Sequence, residues 1–159
     1  APPLGLTPEH LAAVQNGMFE VVNGERGTAK SSRVVDPTMV MAGKTGTSQV
    51  RNISAAEREA GVISNEDLPW NRRDHALFVG FAPYDAPRFA VTVVVEHGGG
   101  GSTAAAPIAR DIMLFAQHGG LPPEEAYPTS QRGRIREDLA QLSERILPPD
   151  GTIATVSRT

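Results

Sequence analysis

Two apolar segments separated by a short proline-rich turn constrain the fold of this chain more than any other feature. The first is His75–Ala82, and the second is the valine-rich Phe89–Glu96. Valine and aromatic residues favour strands, and the six residues from Pro83 to Arg88 favour an antiparallel hairpin. Both alternating faces of the first segment are apolar, so a sheet that contains it needs cover on both sides. The sequence therefore predicts an α/β chain of the α+β type, with an antiparallel sheet flanked by helices.

Helical spacing of apolar residues predicts three longer helices. The first has Thr7 as its N-cap and ends near residue 22, the second runs from Ala104 or Pro107 to Gln117, and the third covers Arg132–Leu147. The predicted apolar face of the second helix consists of Ala105, Ile108, Ile112 and Phe115. The first two helices can cover about one face of the sheet, so we expect the other face to need partners that this chain does not supply.

A third predicted strand, residues 38–50, carries the sequence Lys44-Thr45-Gly46-Thr47. Side chains alternate along a strand, so Thr45 and Thr47 point one way while Lys44 and Gly46 point the other. Two aligned hydroxyls can donate to a carboxylate, and the lysine adds a positive field. The bare glycine admits an extended substrate, and the Thr47 N–H can donate to an oxyanion. This pattern fits a site that holds a peptide carboxylate while a nearby carbonyl is attacked, although four common residues also occur together by chance.

Composition and charge exclude several other kinds of site. The 159 residues suit one domain, and the net charge of −3 indicates neither nucleic acid nor an anionic membrane surface as a partner. There is no cysteine, which excludes thiolate chemistry and disulfides. The four histidines are scattered without metal-ligand spacing, so the sequence predicts no metal and no cofactor.

Two further segments divide the chain. Residues 51–74 form a long charged connection that contains Trp70, and such a connection is either functional, as a lid or partner surface, or a solvated loop. Residues 1–120 are predicted to form the main unit. Residues 121–159 are predicted to be a proline-rich linker, a short amphipathic helix and a flexible tail.

The order of these segments resembles the C-terminal part of the transpeptidase domain of class B penicillin-binding proteins, most closely their elongation-type branch. Lys44-Thr45-Gly46-Thr47-Ser48-Gln49 is similar to the third conserved box of that family. Asp74–Pro83 resembles the strand that follows, Phe89–Gly99 the last strand with its glycine loop, and Gly17–Ala29 the preceding helix and turn. The resemblance covers about residues 5–118 and implies a partial fold of the penicillin-binding and serine β-lactamase type.

The resemblance implies a D,D-transpeptidase that cross-links peptidoglycan stem peptides through a serine acyl-enzyme and also binds β-lactams. Lys44 would shape the field of the groove, and Thr45, Gly46 and Thr47 would hold the D-Ala-D-Ala carboxylate end, with the Thr47 N–H as an oxyanion donor. It also implies the periplasmic side of the bacterial inner membrane, with an anchor outside this chain. The implied partners are the upstream part of the same protein and the cell-elongation machinery.

The sequence departs from the family pattern in lacking a nucleophile. Its only lysines are Lys30 and Lys44, and Gly27 and Met41 stand three residues before them, so there is no S-x-x-K box. No serine is followed two residues later by asparagine, so the S-x-N box is also missing. We therefore expect the isolated chain to be inactive, with the serine supplied by an upstream part of the protein.

Two alternatives remain open. The first is a fragment of a serine β-lactamase or D,D-carboxypeptidase of the same superfamily. The second is a non-catalytic module that uses Lys44, Thr45 and Thr47 as a carboxylate cradle. The module would fold cooperatively as a monomer, whereas a transpeptidase fragment would expose apolar sheet surface.

Overall fold

A computed structural model describes residues 5–146 of the chain. Four α-helices and three β-strands, joined partly by short 3-10 turns, make up these residues. In chain order they are α1 (Pro8–Asn23), β1 (Ala42–Ser48), α2 (Ala55–Ala60), β2 (His75–Ala82), β3 (Phe89–Val95), α3 (Ala106–His118) and α4 (Arg132–Ile146). The predicted tail beyond residue 146 lies outside the described residues. No helix within residues 5–146 is both long and apolar enough to cross a membrane.

The three strands form one antiparallel sheet in the order β1-β2-β3. The predicted hairpin and the predicted class of fold are thus confirmed. β1 is shorter than the expected strand over 38–50, because Asp36 folds the chain into a turn just before it. The Asp36 carboxylate accepts from the Thr38 backbone N–H at 2.8 Å and from the Thr38 hydroxyl at 2.6 Å, and these bonds lower the pKa of Asp36. Residues 33–35, which precede this turn, are not part of the sheet.

The two faces of the sheet differ sharply in burial. Phe78 is 1% exposed, and Ala76 is fully buried beside it on the face that α3 covers. On the opposite face Val79 is 45% exposed and Val94 is 56% exposed. The described residues therefore cover one face and leave the other open, as the shortage of helices in the sequence led us to expect.

Of the apolar face predicted for the second helix, only Ala105 is buried, and the rest of the face that meets the sheet is a different one. Ile108, Ile112 and Phe115 are between 44% and 49% exposed, whereas Ala109 and Met113 lie in the core. The helix has two apolar stripes, and the one with more small residues packs on the strands because it allows a closer helix–sheet approach. The larger side chains are left on the outer surface of the described part of the chain.

The predicted proline-rich linker contributes to the core. Tyr127 is 2% exposed, and its ring stacks under the guanidinium of Arg110 with the Arg110 Cζ 4.7 Å from the ring centroid. Arg110 Nη1 donates to Gln131 Oε1 at 2.7 Å, and Gln131 Nε2 donates to the Ser31 carbonyl at 2.6 Å. Ile135 of α4 is also buried. These contacts hold residues 124–135 against α3 and against the segment that follows α1.

Candidate active site

The open edge of β1 is where the predicted site residues lie. Backbone groups of an edge strand point alternately toward its neighbour and away from it. The Val40 carbonyl accepts from the Tyr84 N–H at 2.8 Å on the side of β2, whereas the Met41 carbonyl accepts from Asn23 Nδ2 at 3.0 Å on the side of α1. The register of β1 with β2 contains no bulge, so this alternation continues along the strand. The Thr47 N–H therefore points to the same side as the Met41 carbonyl. This N–H therefore faces the edge that no described strand pairs.

The side chains of the Lys-Thr-Gly-Thr segment alternate as the sequence predicts. Thr45 stands opposite Phe78 and so shares the face that α1 and α3 cover; Thr47 follows it on the same face. Lys44 and Gly46 belong to the other face. Thr45 is half-buried and Thr47 is exposed, so both hydroxyls lie along one rim of the open edge.

Lys44 brings a positive charge to that same edge. Its side chain is exposed, and Nζ donates to the Thr45 carbonyl at 2.7 Å. The ammonium retains further donor capacity, because a lysine carries three N–H groups. An anion that lay along the edge would meet this ammonium, two threonine hydroxyls and a backbone N–H.

Thr28 joins the site, although the sequence analysis did not single it out. Its Oγ1 lies 3.0 Å from the Oγ1 of Thr45, and its side chain is exposed. Thr28 lies in the turn that follows α1, which the resemblance to the family included only as a turn. A threonine after a glycine at a helix end is a weak signal, and only the tertiary structure shows that this turn reaches β1.

A glycine turn packs against the backbone of the Lys-Thr-Gly-Thr strand and of its neighbour β2. A Cβ on Gly101 would lie 2.4 Å from the Gly46 carbonyl oxygen and 2.3 Å from the Leu77 carbonyl oxygen. The absence of a side chain at position 101 therefore lets the turn Gly101–Ala105 lie directly on the backbone of the sheet. This turn leads into α3.

Hydrogen bonds hold the C-terminal end of the charged connection 51–74 against the sheet. Asn65 Oδ1 accepts from the Asp74 N–H at 2.8 Å, and the Asp74 carboxylate accepts from the Val50 N–H at 3.1 Å. The Gly99 N–H donates to the Asp74 carbonyl at 2.9 Å. An open depression of about 330 Å³ lies between Asn65, Arg73 and residues 98–103. The connection thus forms a wall beside the glycine turn.

The two histidines at the strand ends are used in hydrogen bonds within this wall. The His97 N–H donates to His75 Nδ1 at 2.8 Å, and His97 Nδ1 lies 3.0 Å from the Arg73 carbonyl oxygen. The His97 ring packs edge-on against Trp70, with 4.5 Å between centroids, while Trp70 itself is 62% exposed. Both imidazoles therefore stabilise the packing of residues 70–75 against the glycine turn.

A bidentate ion pair holds the start of the connection. Arg51 Nη1 and Nη2 donate to the two carboxylate oxygens of Glu57 at 2.7 and 2.6 Å. The hydrogen bond from Arg51 lowers the pKa of Glu57 and raises that of Arg51. Glu57 belongs to α2, which Ser54 caps by accepting from the Glu57 N–H at 3.1 Å. Within the part of the chain that the structure describes, no three His, Asp or Glu side chains are grouped so that they could hold a metal ion.

Comparison with known proteins places this geometry in a family. Residues 4–114 match the penicillin-binding protein transpeptidase domain, which is more than half of the chain. The peptidoglycan D,D-transpeptidase MrdA of Haemophilus influenzae is 39% identical over 144 residues, which are 88% of this chain and 21% of that protein. MrdA of Escherichia coli K12 is 33% identical over 127 residues, covering 77% of this chain and 19% of that protein. The chain therefore spans about a fifth of the length of these relatives.

Two solved structures give the same result. Penicillin-binding protein 2 (PBP2) of Pseudomonas aeruginosa, in complex with WCK 5153, is 38% identical with a TM-score of 0.52, over 80% of this chain and 24% of that one. The complex of PBP2 and MreC from Helicobacter pylori matches with 32% identity and a TM-score of 0.53, over 70% of this chain and 19% of that one. The resemblance read from the sequence, to the penicillin-binding protein 2 branch, is thereby confirmed. The chain belongs to the family of penicillin-binding protein transpeptidase domains.

Proposed function

We propose that this chain is the C-terminal part of the transpeptidase domain of a peptidoglycan D,D-transpeptidase, in which β1 forms one wall of the catalytic groove. The observation that carries the proposal is the open edge of β1. There the Lys44 ammonium, the Thr45 and Thr47 hydroxyls and the Thr47 N–H lie together, in a chain whose family match covers residues 4–114. These are donors without an acidic partner on the strand, as an anionic substrate end requires.

In this proposal the chain holds the substrate and stabilises charge, while the nucleophile comes from elsewhere in the protein. A serine oxygen attacks the carbonyl carbon of the D-Ala-D-Ala bond, the terminal D-Ala leaves with a proton on its nitrogen, and an ester links the serine to the stem peptide. The amine of a second stem peptide then attacks the ester and releases the serine. Thr45 and Thr47 donate to the carboxylate of the leaving D-Ala, and Lys44 adds its positive field. The Thr47 N–H donates to the oxyanion of each tetrahedral intermediate.

The apolar surfaces left open in the described residues support an assignment as one part of a larger domain. Val79 and Val94 on the sheet, and Ile108, Ile112 and Phe115 on α3, are each more than 40% exposed. Patches of this kind are covered by other elements in stable monomers. We propose that the remaining strands and helices of the domain cover them. Residues 1–120 would then belong to the catalytic domain, and the segment after residue 120 would extend it.

Labelling with a fluorescent penicillin tests the proposal directly. The complete gene product that contains this chain should form a covalent adduct that survives denaturing electrophoresis, whereas the isolated 159-residue chain should form none. A complete gene product that fails to label, although it is folded, would disprove the transpeptidase assignment. A covalent band on the isolated chain would show that the nucleophile lies within it.

Two further measurements separate this proposal from its alternatives. A transpeptidase should release the penicilloyl group slowly and transfer a stem peptide to an amine, whereas a β-lactamase should turn over penicillin rapidly. A non-catalytic module should bind D-Ala-D-Ala reversibly as an isolated, monomeric chain. The open sheet face instead leads us to expect that the isolated chain self-associates, which sedimentation velocity would measure.

Location and partners follow from the same proposal. Cross-linking of peptidoglycan would place the protein on the periplasmic side of the inner membrane. The H. pylori relative has been solved as a complex of PBP2 and MreC, and we propose an equivalent partner from the elongation machinery for this protein. Co-purification with that partner, compared with a control protein of similar size, would test the interaction.

A further inference from the structure

We propose that Thr28 is a positioning residue for Thr45, and that the pair acts as one directional donor to the carboxylate end of the substrate. The inference rests on the proposed function, because it concerns the same groove. It begins from one contact: the two Oγ1 atoms lie 3.0 Å apart, in hydrogen-bond range, in a part of the surface that is open to solvent.

Each hydroxyl has one proton to donate, and the contact uses one of the two. If Thr28 donates to Thr45, the Thr45 proton is left to point along the open edge of β1. If Thr45 donates to Thr28, Thr45 has no proton left for the ligand, so a carboxylate at the edge of β1 favours the first arrangement. In both arrangements one proton is committed and one is free, and the committed bond polarises the free O–H. A carboxylate therefore meets a hydroxyl whose rotation has already been restricted.

The position of Thr28 is fixed by its neighbours on both sides. At Gly27 a Cβ would lie 2.4 Å from the Val21 carbonyl oxygen, so this position accepts only glycine without a shift of the turn. After Thr28, the fully buried Ala29 donates its N–H to the same Val21 carbonyl at 2.9 Å. The turn is thus clamped to the C-terminal end of α1.

The end of α1 is in turn fastened to β1. Asn23 Nδ2 donates to the Met41 carbonyl at 3.0 Å and to the Phe19 carbonyl at 3.1 Å. A rigid path therefore runs from β1 through α1 to Thr28, and it holds the Thr28 hydroxyl beside Thr45 without a ligand. Thr28 also lines a shallow depression of about 230 Å³ that opens along this turn between Glu20 and Arg26.

The test compares acylation of the complete gene product by penicillin G and by its methyl ester, which lacks the anionic carboxylate. Thr28→Val removes the hydroxyl at nearly constant shape, and we expect the second-order acylation rate with penicillin G to fall about fivefold, the size of one neutral hydrogen bond. The slower reaction with the ester should change by less than about twofold. Thr28→Ser keeps the hydroxyl and should restore the rate with penicillin G.

Thr92→Val is the matched control. Thr92 lies on β3, on the opposite face of the sheet from Thr45 and at the far edge, so its substitution should leave the ratio of the two rates unchanged. The ratio of the two rates is measured within each variant, so a partly inactive preparation does not affect it. An equal fall for penicillin and ester in Thr28→Val would overturn the inference, because it would indicate a structural role alone. An unchanged rate with penicillin G in Thr28→Val would also overturn the inference.

The two proposals fail in different ways. If the unsubstituted gene product is not acylated by penicillin, the proposed function is wrong and this inference falls with it. If that protein is acylated but its preference for penicillin over the ester does not depend on Thr28, only the positioning role is wrong.

Discussion

The open edge of β1 and the buried cluster around Arg110 both concentrate polar groups, but they use them differently. In the cluster, Arg110 is 1% exposed, its Nε donates to Asp111 at 2.8 Å and its Nη1 to Gln131 at 2.7 Å, and Tyr127 stacks against its plane. Along the edge, the threonine hydroxyls and the Thr47 N–H remain accessible. Committed donors stabilise the fold, whereas uncommitted donors on a rigid strand are available to a ligand.

This contrast assigns different consequences to substitution in the two regions. Changes in the Arg110 cluster should lower the free energy of unfolding and leave the chemistry of folded molecules intact. Changes along the edge should slow acylation and leave stability nearly unchanged. Substitutions in the complete gene product test whether the two regions differ in this way.

The largest expected effect is on stability. Arg110→Ala removes the stacked guanidinium and leaves Gln131 Oε1 without its donor, so we expect a loss of about 3 kcal/mol in the free energy of unfolding. Chemical denaturation would measure it. Arg136→Ala is the control, because Arg136 is 69% exposed in its ion pair with Glu124 and such pairs contribute less than about 1 kcal/mol. Similar losses in the two variants would contradict the central role of the cluster.

The second-largest effect is on both stability and acylation, because the substitution would change the packing of the glycine turn beside the groove. Gly101→Ala would place a methyl group 2.3 Å from the Leu77 carbonyl oxygen, and the turn would have to move away from Gly46. We expect a cost of about 2 kcal/mol in stability and at least a tenfold slower acylation.

Gly17→Ala is the matched glycine control. Nothing lies within 4 Å of a Cβ at this exposed position of α1, so the substitution should raise stability by up to about 1 kcal/mol and leave acylation unchanged. If Gly101→Ala behaved in the same way, close packing of the glycine turn would not shape the groove.

The third effect is confined to the open edge. Thr47→Val removes a hydroxyl but keeps the backbone N–H, so acylation by penicillin G should slow roughly tenfold while the melting temperature stays the same. Stopped-flow kinetics with a fluorescent penicillin, together with thermal unfolding, would check both parts. An unchanged acylation rate would show that the Thr47 hydroxyl does not contribute to the proposed site. The proposed role of the Thr47 N–H would not be affected.

The smallest effect is a dependence of stability on pH. Burial raises the pKa of the Tyr127 phenol from its ordinary value of 10 to about 12. The unfolded chain therefore ionises first, so the stabilisation is fully present below about pH 10 and is lost as the pH rises toward 12. Tyrosinate absorbance should show Tyr127 titrating at high pH. Tyr127→Phe should reduce the fall in stability over that pH range, and an equal fall in both proteins would contradict the shift.

The sequence predicted the sheet well because strand patterns are local. β2 begins and ends where its apolar residues predict, and the turn from Pro83 to Arg88 leads to the antiparallel partner. The alternation along Lys44–Thr47 followed from strand geometry alone. Helix α1 likewise begins after Thr7, whose hydroxyl accepts from the His10 N–H at 3.4 Å.

Where two local patterns competed, sequence patterns alone did not distinguish between them. Both stripes of α3 are apolar, and only packing against the sheet decided that Ala109 and Met113 face inward while Ile112 faces outward. The segment with Tyr127 looked like a linker because prolines surround it. It is ordered by contacts with Arg110 on α3, which is distant in the sequence.

The strands, the longer helices and the Lys-Thr-Gly-Thr segment were predictable because each depends on residues close together in the chain, and the order of these segments along the chain indicated the family. The surroundings of the Lys-Thr-Gly-Thr segment became visible in the folded chain. Folding brought Thr28 to 3.0 Å from Thr45 across 17 residues, left the Thr47 edge of β1 unpaired in the described chain and rested Gly101 on Gly46. These contacts depend on how α1 and the glycine turn pack on the sheet. That packing depends on the combined shapes of elements that are far apart in the sequence.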